Sequence, residues 1–125
     1  MELKLKVLEE IQIIEVHGKF DIECVEDFEN LFQSQKKKKK SPSLAIDMNH
    51  LDYIDSSGIG SLIKSLNATK NAKGNLILFG LKPMIHNVFK LAKLDLFFQI
   101  MSNKDFQAKY HSDDDSDIDE LLNKN

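Results

Sequence analysis

The chain has 125 residues, 17 basic against 20 acidic side chains, a net charge of −3 and a single cysteine. That length is one domain's worth and buries a core without staples. The charge argues against a general nucleic-acid binder, no apolar run nears the roughly 18 residues of a membrane span, and Cys24 alone makes no intrachain disulfide.

The predicted elements begin with Leu3, Leu5 and Val7, which alternate with polar residues as in a strand with one buried face. Nothing in Met1-Glu2-Leu3-Lys4-Leu5-Lys6 resembles a secretory signal. A reducing cytoplasmic setting is therefore expected, with Cys24 a half-buried small hydrophobe. Close behind Glu9-Glu10, Ile11 to Val16 predicts the antiparallel partner of a hairpin, ending in a loop at His17-Gly18-Lys19-Phe20-Asp21.

Val25, Phe28, Leu31 and Phe32 then recur at helical spacing, with acids in the early turns where the helix dipole favours them. That helix ends in the lysine run Lys36 to Lys40 and Ser41-Pro42-Ser43. Leu44 to Met48 reads as a strand buried on both faces of a parallel sheet. A second helix spans Ser56 to Ala72 and stops at Lys73-Gly74, with glycine as terminator. Leu76 to Phe79 is another buried strand. Pro83 opens a third helix whose inward face is Ile85, Val88, Phe89 and Ala92. Phe97 to Met101 predicts an edge strand and Lys104 to Tyr110 a short closing helix.

Strands alternating with helices predict an α/β domain over residues 1–110: a mostly parallel four- to five-stranded sheet, entered by an N-terminal hairpin, with helices packed against it. Residues 111–125 hold Asp113, Asp114, Asp115, Asp117, Asp119 and Glu120 and are expected to be a disordered acidic tail. The lysine run and this tail read as solvated segments; the sharper alternative is a tail that folds back on the lysines or repels an acidic partner. Every basic side chain is lysine, so the bidentate fork that grips phosphate best is missing.

The informative segment is Asp55-Ser56-Ser57-Gly58-Ile59-Gly60-Ser61, where a strand hands over to a helix. Asp55 is a natural N-cap. Gly58 and Gly60 each cost about 1 kcal/mol inside a helix, a cost that implies close approach by the chain's own sheet or by another protein. On a helical wheel Ile59, Leu62, Ile63 and Leu66 form the core face, while Ser57, Ser61, Lys64 and Ala68 form a small-residue outer stripe suited to docking. Ser56 falls nearer the core, which leaves Ser57 as the hydroxyl a kinase reaches. A phosphate there adds about −1.5 to −2 charges to the stripe. Asp21 joins the site, because loops after neighbouring parallel strands emerge at the same end of a sheet.

These residues resemble a known family. Asp55-Ser56-Ser57-Gly58-Ile59-Gly60 is similar to the signature of bacterial anti-sigma-factor antagonists, the single-domain STAS proteins. Gly18-Lys19-Phe20-Asp21 resembles that family's Gly-x-aliphatic-Asp element, with Phe20 in the aliphatic place. Pro83 and Leu91-Ala92-Lys93-Leu94-Asp95 add to a likeness over roughly residues 3–110. It implies partner switching: the unphosphorylated protein binds an anti-sigma factor that is also its serine kinase, phosphorylation at Ser57 ends the binding, and a PP2C-type phosphatase reverses it. The implied contact set is Asp21, Asp55, Ser56, Ser57, Gly58, Gly60, Ser61 and Lys64, with no cofactor, nucleic acid or membrane involved. The lysine run and acidic tail depart from the pattern.

An enzyme reading, with Ser56 or Ser57 as nucleophile beside Asp21 and a histidine, lacks the Gly-x-Ser-x-Gly elbow and implicates no particular histidine; His17 is near enough in the chain, but a strand-end histidine is usually structural. A metal site is not expected either, since His17, His50, His86 and His111 are scattered along the chain. The serious alternative is a non-switching STAS module, a scaffold or transporter-associated subunit, which has no need of a serine between Asp55 and Gly58.

Overall fold

The structure is a computed structural model that describes residues 2–8 and 11–110. The acidic tail at 111–125 and Glu9-Glu10 lie outside the described residues. Five strands form one sheet in the order β1-β2-β3-β4-β5: β1 (Glu2–Val7), β2 (Gln12–Phe20), β3 (Ser43–Ile54), β4 (Asn75–Phe79) and β5 (Gln99–Met101). β1 pairs antiparallel with β2, and every other pair is parallel. The helices are α1 (Val25–Lys36), α2 (Ser56–Asn71), α3 (Pro83–Leu91) and α4 (Asn103–Lys109), with a 3-10 turn at Leu94–Leu96.

Strand order follows chain order from β2 to β5, so the right-handed crossovers through α1, α2 and α3 all fall on one face of the sheet. There Ile14, Val16, Ile46, Met48 and Leu78 pack against Phe28, Phe32, Leu62, Leu66, Ile85 and Phe89. Among the described residues, only α4 covers the other face. Its Phe106 stacks on Phe79 at 3.8 Å and closes a smaller cluster with Ile11, Ile13, Ala45 and Ile77.

Several expectations need correction. β1 alternates as predicted, yet Leu5 and Val7 are exposed and only Leu3 packs on the core, because β1 is an edge strand lying beyond the helices. β2 continues through His17 to Phe20, where a loop was expected, and β3 runs on past the predicted Met48 end to Ile54. Hydropathy could not reveal this, since β3 holds register with β2 by taking up extra residues between Asp47 and His50 and between Leu51 and Tyr53. At the end of α2 the left-handed residue is Lys73, φ 59°, not Gly74. Gly74 is needed for another reason: a Cβ there would lie 2.2 Å from the Pro42 carbonyl oxygen. Ala92 is exposed at the end of α3, and the last strand shortens to three residues, with Phe97 exposed and Phe98 buried before it.

Candidate functional site

The site forms where β2 and β3 end. Phe20 pairs with Ile54, and the Asp55 N–H donates to the Phe20 carbonyl at 3.3 Å. Asp21 and Asp55 therefore leave the sheet as neighbours at its carboxyl end. Asp21 turns the chain into α1: its Oδ1 accepts from the Glu23 N–H at 3.1 Å and its carbonyl from the Cys24 N–H at 3.0 Å. Phe20 anchors the corner below, packing on Phe28 at 4.8 Å between centroids.

Asp55 caps α2 as predicted. Its Oδ1 accepts from the Ser57 N–H at 2.9 Å and the Gly58 N–H at 3.1 Å, while its carbonyl takes the Ile59 N–H. Two first-turn donors, the Ser57 and Gly58 N–H groups, are thereby occupied from within the chain and closed to an anion. A phosphate on Ser57 would meet the Asp55 carboxylate beside N–H groups that it already occupies. It would add negative charge to a corner that already carries Asp21 and Asp55.

The two glycines separate. A Cβ on Gly58 would lie 2.5 Å from the Phe20 carbonyl oxygen and 2.9 Å from Ile54, so α2 sits on the sheet only because residue 58 has none. Gly60 is exposed, with nothing within 4 Å of the place its Cβ would take. The fold requires Gly58; nothing within the described structure requires Gly60.

The wheel phase differs from expectation. Gly58, Ser61, Leu62, Ser65, Leu66 and Thr69 are the buried residues of α2, and Ile59 and Ile63 are its half-buried flank. Ser61, expected on the docking stripe, is buried and donates to Glu29 Oε2 of α1 at 3.0 Å. Lys64 remains exposed and pairs with the other Glu29 oxygen at 3.2 Å. The same rotation makes Ser56 exposed and Ser57 half-buried, the reverse of their expected order. Burial of small polar residues works because their hydroxyls bond back along the helix: Ser65 to the Ser61 carbonyl at 2.9 Å and Thr69 to the Ser65 carbonyl at 2.7 Å.

Of the predicted site residues, Asp21, Asp55, Ser56, Ser57, Gly60 and Lys64 are thus exposed or half-buried, and Gly58 and Ser61 are buried beneath them, where they seat α2. Two neighbours were missed. Glu29 clamps α1 to α2, and no sequence signal pairs those helices. Ile22, beside Asp21, is 69% exposed and offers an apolar contact. His17, the histidine considered for a triad, lies on the sheet face opposite α2, where Glu15 Oε1 is 3.1 Å from its Nε2. That face holds it away from Ser57. The scattered histidines also need correction, since the fold stacks His17 on His50. No helix among the described residues is long and apolar enough to cross a membrane.

The STAS domain model matches residues 2–106, and the chain belongs to that family. A curated relative, the anti-sigma-B factor antagonist of Listeria monocytogenes, is 27% identical over 62 residues, 50% of this chain and 54% of that protein. The chain therefore matches only about half the length of this relative. Among solved structures, a protein of Thermotoga maritima provisionally described as an anti-sigma factor antagonist superposes with TM-score 0.76 at 17% identity, covering 86% of this chain and 92% of the other. The Bacillus cell fate determinant SpoIIAA in its phosphorylated form superposes with TM-score 0.65 at 19% identity, covering 86% of this chain and 98% of that one.

Proposed function

We propose that this chain is an anti-sigma-factor antagonist that works in the cytoplasm as a phosphorylation-controlled binding switch, without catalysis of its own. Its unphosphorylated rim docks an anti-sigma factor that is also a serine kinase. Phosphorylation of Ser57 releases that partner, and a PP2C-type phosphatase resets the switch. The observation that carries this reading is the Asp55 cap. It engages the Ser57 and Gly58 N–H groups, so an added phosphate gains less from the helix and projects its charge at whatever docks there. Gly60 supports it, being a bare stretch of exposed helix backbone that a partner can approach closely.

The test is to incubate the purified chain with lysate of its own cells and ATP, map phosphate by mass spectrometry, and capture partners with wild type, Ser57→Ala and Ser57→Glu. Phosphate on Ser57, with a partner held by wild type and Ser57→Ala but not by Ser57→Glu, supports the switch. An unmodified Ser57, in a lysate that labels other phosphoproteins, with equal capture by all three, favours the constitutive module. Phosphate on the more exposed Ser56 would move the switch by one residue.

A further inference from the structure

The sheet face opposite α1, α2 and α3 carries a cluster that partner switching does not use. Ligand atoms of Glu15, His17 and His50 all lie within 4.8 Å of one another. Glu15 Oε1 is 3.1 Å from His17 Nε2. The His17 and His50 rings stack with centroids 4.5 Å apart and planes 14° from parallel. We propose that Glu15, His17 and His50 bind a divalent transition-metal ion of the zinc type.

The backbone builds this juxtaposition. Glu15 and His17 are alternate residues of β2 and share a face. His50 reaches that face only through the extra residue that β3 takes up between Asp47 and His50. A regular β3 would set Asn49 opposite His17 and turn His50 toward the helix-covered core. Bulges of this kind re-aim side chains beside sites. Here the bulge lies just past Asp47, the last β3 residue paired with β4, and pairing with β2 resumes at His50.

The chemistry fits. Two imidazoles and a carboxylate are a borderline N/O donor set that suits zinc and, by ligand type, nickel and copper. Three protein ligands leave a fourth position for water. Donors about 2.0–2.1 Å from a tetrahedral ion stand about 3.4 Å apart, close to the spacing Glu15 and His17 already have. The exposed His50 closes the rest by side-chain rotation. Around the cluster, Glu2 lies across from His17, Lys4 across from Glu15 on β1, and Asp47 beside Glu15 on β3. Two of these three neighbours favour a cation, and Lys4 opposes one.

The experiment is calorimetric titration of the full chain with zinc chloride, alongside cobalt(II) absorption and amide NMR spectra. The expected result is one ion per chain, with shifts centred on β2 and β3. Binding is at least about tenfold weaker in His17→Ala, His50→Ala and Glu15→Gln, no less than the loss carried by a supporting residue of a metal site. His86→Ala, on α3, leaves it unchanged. Two results overturn the proposal: no saturable binding, or binding that persists at full strength in the His17→Ala/His50→Ala double variant. NMR of the unmodified chain reads the location directly, so the outcome does not depend on any variant folding. Neither result bears on Ser57.

Discussion

Gly58 stands so close to Phe20 that a Cβ at residue 58 would lie 2.5 Å from the Phe20 carbonyl oxygen. That carbonyl also accepts the Asp55 N–H, so it cannot swing aside without loosening the cap residue. The first turn of α2 is thereby seated on the end of β2, and the height of Ser57 above the sheet is set by a missing methyl group.

Gly58→Ala is accordingly expected to destabilise the domain by about 1–3 kcal/mol, the overpacking cost outweighing alanine's better helix propensity. Gly60→Ala should do the reverse and gain about 0.5–1 kcal/mol, since its methyl enters open space. Urea denaturation of the two variants reads the difference. If Gly60→Ala is more stable yet captures less partner, the bare backbone at residue 60 is a contact.

Asp55→Ala removes a carboxylate that accepts two N–H groups, at 2.9 and 3.1 Å. A loss of about 1–2 kcal/mol is expected, with Asp55→Asn closer to wild type. Hydrogen exchange at Ser57 and Gly58 should rise in Asp55→Ala before exchange in the rest of α2. Uniform acceleration would mean that the cap does not act locally.

Ser61→Ala tests the clamp between α1 and α2. The hydroxyl is buried and bonded to an ionised acceptor, Glu29, which retains Lys64 after the change. The expected cost is about 1–2 kcal/mol, toward the lower end for a hydrogen bond to a charged group because Glu29 is partly exposed. A double-mutant cycle with Glu29→Gln should show coupling; strict additivity would rule the clamp out.

Asp52 near the end of β3 accepts a hydrogen bond from Lys82 ahead of α3. That bond, and then the charge of the ammonium, hold its carboxyl below the ordinary carboxylate range. Its folded-state value is depressed, so the pair's contribution is fully present above the unfolded pKa and is lost as pH falls through the folded one. Carboxyl NMR titration should show Asp52 titrating low in wild type and returning toward the ordinary range in Lys82→Met. Because both side chains of the pair are exposed, the shift should also shrink as salt is added.

Much of the fold was legible in the residues themselves. The order of elements, the Asp55 cap and Pro83 at the first turn of α3 follow from local chemistry, because a cap or a proline acts within one helical turn. The family signature spanned the same local stretch. Long-range packing was not legible. The phase of α2 is set by Gly58, Ser61, Ser65 and Thr69, small residues with little hydropathy signal that are buried because they allow the helix to approach the sheet and α1 closely. A wheel weighted by Ile59 and Ile63 therefore turned Ser61 outward and Ser56 inward. The bulges of β3 break the two-residue period from which strand faces are read, and through them the fold brings His17 against His50. Sequence determined which groups stand at the turn from β3 into α2; tertiary structure decided which of them face solvent, because that depends on how closely two backbones can approach.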